Sequence, residues 1–151
     1  MLALELDKQT VKTFMGQLLR SDIFDAFDVR SVDITTHVRI NIDGLQDAEE
    51  DKKPTFAAWE SVRPLVYENI KASQKPKLVK IVFSYNAQTA QEIHPNAAAL
   101  FLNLAYENDS VTFTTGTAQR EFLFEKSLDT NWDEWVRDFF AKVGLEVADR
   151  E

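Results

Sequence analysis

The sequence predicts an α+β fold, one mostly antiparallel sheet with helices packed on it, and three observations lead there. Segments with apolar residues at every second position alternate with segments at helical spacing, the two periods that separate strands from amphipathic helices. Three strand-like segments near the C-terminal end follow one another with only turns between them, a meander that pairs antiparallel. Finally, the chain has 151 residues, 44% of them hydrophobic and 28% charged, close to globular averages and sufficient for the core of one domain. The predicted order is β-α-β-β-α-β-(α)-β-β-β-α, a single domain spanning residues 1–151.

Leu2, Leu4 and Leu6 alternate with Ala3 and Glu5, the period of a half-buried strand. Asp7 is placed to cap a helix, its carboxylate accepting from first-turn amides. Val11, Phe14, Met15, Leu18 and Leu19 follow at helical spacing, and the helix should stop near Ser21. Phe27 and Val29 share one strand phase; Val32, Ile34, Thr36, Val38, Ile40 and Ile42 hold the other. We read the latter as two strands around a turn near Thr36 and His37, with Asp43-Gly44 as a turn at the end. The segment 46–53 (QDAEEDKK) has Ala48 as its one apolar residue and reads as an exposed acidic loop.

Thr55 is a candidate cap for a second helix carrying Phe56, Trp59, Val62, Val66, Tyr67 and Ile70, with Pro64 kinking or breaking it. Val79, Ile81, Phe83 and Tyr85 line one face of the next strand, and Asn86 can cap a short helix ended by Pro95. In the meander, Leu100, Leu102, Leu104 and Tyr106 alternate, Asn108-Asp109 turns, Val111, Phe113 and Thr115 alternate, Gly116 turns, and Phe122 and Phe124 alternate. The last helix is expected to open at Thr130 or Asn131, where Asn131 and Glu134 have capping-box spacing. Trp132, Trp135, Val136, Phe139, Phe140 and Val143 form its buried face, Gly144 stands at the C-cap position, and a short frayed tail comes after it.

Composition removes several chemistries. There is no cysteine, so disulfides, thiolate nucleophiles and zinc–thiolate sites have no donors in this chain. Gly16, Gly44, Gly116 and Gly144 are far apart, whereas the Rossmann and Walker loops need clustered glycines. The net charge of −8 disfavours a nucleic acid partner, whose affinity comes mostly from Lys and Arg on phosphates. The N-terminal segment lacks a basic and apolar leader, and no apolar run reaches the ~18 residues of a membrane span. The expectation is a soluble, cytoplasmic protein.

His37 and His94 are the two histidines, and neither belongs to an H-x-x-x-H pair, so no metal site is predicted. A Ser-His-Asp arrangement would have to assemble in space, and no G-x-S-x-G elbow marks one. Asp47, Glu49, Glu50 and Asp51 cluster on the acidic loop without the pattern of a calcium loop. Two features carry hypotheses. Thr114, Thr115, Gly116 and Thr117, with Arg120 beyond, offer hydroxyls, a permissive backbone and a cation to an anion or a substrate carboxylate. Lys71, Lys75, Lys77 and Lys80 form a run without an intervening acid, suited to an acidic partner or phosphate, or to protecting an edge strand.

Segments along nearly the whole chain together resemble a known family. They are MLALEL, VKTFM and LL near the start, then FDAF, ITT, IDG and WESVRP, then LFLNLAY, TTGT, KSL and WDEWV. The family is one of uncharacterised bacterial proteins, a domain of unknown function found mostly in Gram-positive anaerobes. The resemblance implies a bacterial, stand-alone, single-domain protein and transfers no catalytic residue and no cofactor. Because no recognisable catalytic constellation is present in the sequence, the functional expectation is a non-enzymatic binding or interaction module, with a homo-oligomer or a protein as partner. Trp59, Trp132 and Trp135 are candidates for an apolar self-association patch. The alternatives are a small-molecule or anion-binding protein or enzyme using Thr115, Thr117 and Arg120, and a clamp-like adaptor in nucleic acid transactions.

Overall fold

The period-2 segments become strands and the helical-period segments become helices. In chain order they are β1 (Ala3–Leu6), α1 (Val11–Arg20), β2 (Asp28–Thr35), β3 (Arg39–Asp43), α2 (Trp59–Lys71), β4 (Leu78–Tyr85), α3 (Ala87–Ile93), β5 (Ala97–Glu107), β6 (Ser110–Gln119), α4 (Ser127–Val143) and β7 (Val147–Asp149). The structure, a computed structural model, describes residues 1–46, 54–71, 75–85 and 87–150. The acidic loop expected at 46–53 lies, beyond Gln46, outside the described residues, as does the expected cap Asn86.

The strands form one antiparallel sheet in the order β3-β2-β4-β5-β6-β1-β7. The fold is α+β. Alternate residues of the central strands, among them Ile81, Phe83, Leu102, Leu104 and Phe113, join one core with Phe14 and Leu18 of α1, Trp59 and Val66 of α2, and Trp132, Val136 and Phe140 of α4. Helices therefore cover one face. A row polar but for Ala105 crosses the other, in register from Asn41 through Asp33, Lys80, Ala105 and Thr112 to Glu5. Aromatic rings dominate the core: Phe24 stacks on Phe83 at 4.9 Å, and Trp59 meets Phe83 edge-on at 5.2 Å. Such pairs add about 0.5–1.5 kcal/mol each beyond the burial of their area.

Local signals set several boundaries as expected. The Asp7 carboxylate accepts from the Gln9 amide at 3.3 Å, capping a 3-10 turn that runs directly into α1. Thr36–Val38 connect β2 to β3. Asn108 and Asp109 both have positive φ, 52° and 59°, the two-residue turn whose twist suits a hairpin. Gly144 at φ 79° closes α4, with the Leu145 amide donating to the Phe140 carbonyl at 2.9 Å.

Elsewhere the structure corrects the expectations. The chain before α2 is extended, because Phe56 and Ala58 bridge to Leu45 and Asp28; Thr55 donates to the Gln46 side chain at 2.9 Å, and the helix begins at Trp59. Pro64 lies inside α2 and does not break it, since the helix continues through it as one element. Gly44 serves close approach rather than a turn: a Cβ there would stand 1.9 Å from the Val29 carbonyl oxygen. It sits beside a bulge between Val29 and Ser31 and donates to the Arg30 carbonyl at 2.9 Å. β6 runs straight through Gly116, which pairs with Phe101, so the predicted turn there is mid-strand. α4 opens at Ser127, not Thr130 or Asn131, since Leu128 extends its buried stripe by one turn. The residues expected to fray pair with β1 as β7.

Candidate functional site

Phe122 and Phe124, read from the sequence as a strand, lie beyond the end of β6 in the loop 120–126 that leads to α4. No strand forms because side chains take the backbone groups that a neighbouring strand would have bonded. Asn96 Oδ1 accepts from the Glu121 amide at 3.0 Å, and Asn96 Nδ2 donates to the Glu121 carbonyl at 3.0 Å. The Asn96 carbonyl takes the Arg120 amide at 2.8 Å. Gln119 repeats the arrangement with Leu123, accepting from its amide at 3.1 Å and donating to its carbonyl at 3.2 Å. The backbone is thus held while the side chains project. Phe122 is 77% exposed and Phe124 88%, their rings edge-to-face at 4.9 Å, and Leu123 between them is exposed as well.

A groove runs on each side of this loop. One, of about 530 Å³, lies between the loop and the Thr117–Asp129 contact; the other, of about 650 Å³, is bordered by His94, Pro95, Asn96 and Arg120. Leu123 and Glu125 line both. Neither groove is enclosed by apolar walls, so they suit the rim of a docking surface better than a small-molecule cavity.

His94 and Glu125 of the second groove are joined through Ser127 by a chain of hydrogen bonds. His94 Nε2 lies 2.9 Å from Ser127 Oγ, and Ser127 Oγ donates to the Glu125 carboxylate. His94 Nδ1 accepts from the Asn96 amide at 3.0 Å, which places the ring proton on Nε2. Protons therefore point from histidine to serine to glutamate. A nucleophilic serine needs the reverse, a histidine lone pair facing the hydroxyl. In this arrangement Ser127 is a structural link at the start of α4.

The threonines expected to form a ligand turn are separated by the pleat. Thr114 accepts from Asn103 Nδ2 at 3.2 Å on the sheet face away from the helices. Thr115, 2% exposed, donates to Asp133 Oδ1 at 2.6 Å and accepts from the Leu2 amide at 2.8 Å. Thr117 donates to Asp129, and Arg120 is exposed in the second groove. An anion reaching Thr115 or Thr117 would meet the carboxylates of α4. These contacts tie β6 to α4.

The lysine run is also dispersed. Lys71 ends α2, 3.7 Å from Glu68, and Lys75 pairs with Asp109 across to the β5–β6 turn. That hydrogen bond raises the Lys75 pKa and lowers that of Asp109. Lys77 precedes β4, and Lys80 stands on it between Asp33 and Ala105. Because β4 is flanked by β2 and β5, its lysines guard no sheet edge. Nor do the tryptophans form a surface patch: Trp59 and Trp132 are fully buried and Trp135 is half-buried against Phe27 and Phe139.

Asp28, Arg30 and Tyr85 are shifted mainly by burial. Asp28 is raised by desolvation, opposed by Arg30. Arg30 is lowered for the same reason; its guanidinium lies 3.8 Å from the Phe56 ring centroid and 5.1 Å from that of Phe101. Burial, helped by the Asp28 charge, pushes Tyr85 up to about 12. Among the described residues no group of three or more His, Asp or Glu is placed to hold a metal, and no helix is long and apolar enough to cross a membrane.

The model of a family of unknown function, DUF5721, matches residues 17–148, and the chain belongs to that family. No curated protein and no solved structure matches it.

Proposed function

We propose that this member of the DUF5721 family is a non-enzymatic interaction module that docks a protein partner through the loop 120–126. One observation carries the reading: the most exposed aromatic side chains sit on a backbone whose Glu121 and Leu123 groups are individually bonded by Asn96 and Gln119. Leaving a phenylalanine in water forgoes about 1.5–3 kcal/mol relative to burying it. A chain that can bury six phenylalanines almost completely in its core holds two others out on a pinned loop. Aromatic residues, phenylalanine included, are enriched at the centre of protein interfaces, with a polar rim around them. Thr117 and Arg120 keep a place in this reading as groove borders. The reading includes action as one domain, supported by the continuous core, and a cytoplasmic setting, supported by the cysteine-free, acidic composition.

The test is binding of the apolar dye ANS to the folded protein. The double variant Phe122→Ala/Phe124→Ala should show clearly lower dye fluorescence than the intact protein while its urea midpoint stays unchanged. Undiminished fluorescence, or a midpoint that drops as it would for core rings, would overturn the assignment.

A further inference from the structure

Resting on that reading of the loop, we infer that its partner is a second copy of this chain, docked head to tail. The receiving site is a hollow of about 470 Å³ at the far end of the molecule, lined by Val11, Met15 and Leu19 of α1, Ile70 of α2, Pro76 and Tyr106. Its size falls in the range of roughly 300–1,000 Å³ that holds compact apolar groups. Its walls are aliphatic and aromatic, and its rim carries two exposed lysines, Lys8 and Lys12, one helical turn apart; Lys75 there is already paired with Asp109.

The loop is complementary to it in kind. Its apolar triplet Phe122-Leu123-Phe124 is bracketed by Glu121 and Glu125, with Arg120 and Lys126 one residue further out on each side. In a chain of net charge −8, copies repel one another over most of their surface. The lysine rim is where carboxylates of a neighbour are attracted instead.

Topology makes the contact intermolecular. Asp109, at the hollow, immediately precedes β6, and the loop immediately follows it. Ten residues of β6 at about 3.3 Å each hold the two sites roughly 30 Å apart. A loop pinned at one end of a strand does not reach a hollow at the other end. Each copy instead offers a loop to one neighbour and a hollow to another, a heterologous interface that propagates as a ring or an open chain.

Sedimentation over a wide concentration range tests this with three variants. Phe122→Ala/Phe124→Ala removes the loop, Met15→Glu puts an acid in the hollow, and Lys12→Glu reverses an exposed rim charge without touching the core. The intact chain should grow past a dimer as concentration rises, and less so at high salt. Each variant alone should associate roughly thirtyfold more weakly or worse. A mixture of the loop variant with either hollow variant should form a one-to-one dimer that grows no further, since one intact loop and one intact hollow remain. An intact chain that stays monomeric throughout, or a mixture that fails to dimerise, overturns the inference. Should the intact chain be monomeric while the dye result above holds, the interaction reading stands and self-docking alone falls. If Met15→Glu does not fold, Lys12→Glu decides the matter.

Discussion

The phenylalanines of this chain occupy two opposite settings. Phe14, Phe24, Phe27, Phe83, Phe113 and Phe140 are at most 1% exposed and each touches at least two other rings. Phe122 and Phe124 touch each other and otherwise face solvent. The residue type is the same, so the difference lies in what holds the backbone. In the core, strands and helices bring the rings together; in the loop, Asn96 and Gln119 satisfy the chain locally and leave the rings no neighbour to pack on. Hydrophobicity says that a phenylalanine favours burial. Topology decides whether it is buried.

That contrast can be broken or sharpened by substitution. Phe83→Ala should cost about 3–5 kcal/mol in urea unfolding, because it empties a site shared by Phe24, Phe27 and Trp59. Surface truncation at Phe122 and Phe124 should stay within about 0.5 kcal/mol, and equal losses at both places would erase the distinction. Next in size, Gly44→Ala should cost about 1–3 kcal/mol or more, since its methyl group would collide with backbone rather than with a side chain that can move. An unchanged midpoint would show that the bulge beside it yields freely.

Tyr85 marks the core by pH. Its folded pKa lies near 12 against an ordinary 10.0, so the folded state keeps a proton that the unfolded state releases. Its contribution is therefore present below pH 10.0 and is lost as pH rises towards about 12. Stability measured over this window should fall, and Tyr85→Phe should flatten the fall; an identical slope in the variant would refute the assignment. A loss of hydrogen bonds rather than packing tests the loop. Asn96→Ala should cost about 1–2 kcal/mol for its two side-chain bonds to Glu121, and the Glu121 amide should exchange faster with solvent while core amides keep their rates.

Much of the fold was legible because its signals are local. Leu4 and Leu6 in β1, the stripe of α1, the Asn108-Asp109 hairpin and the Gly144 cap each depend on neighbours within a few residues. What the sequence hid depends on distant pairing. Phe56 stands at helical spacing from Trp59, yet it bridges to Leu45, and Ala58 bridges to Asp28. β7 is three residues long, too short to announce itself, and exists because β1 has an open edge. Gly116 looked like a turn because glycine usually marks one; here Phe101 lies opposite, where a Cβ would make an ordinary 3.7 Å contact. The candidate site had one readable sign. Three consecutive apolar residues, Phe122-Leu123-Phe124, between charged ones do not alternate as a half-buried strand should. Asn96 gave no sign, since its bonds span 25 positions.

The position of β1 carries a consequence for how the chain is made. β1 lies between β6 and β7, so it bonds only to strands that lie more than a hundred residues further along the chain. The β2–β3 and β5–β6 hairpins can form as they emerge, but Leu4 and Leu6 have no sheet to join until β6 is complete. Closing such a loop comes late and raises the contact order, which slows folding. Until β6 is available to pair, the Leu4 and Leu6 strand is an unpaired apolar segment of the kind that favours association between incompletely folded chains.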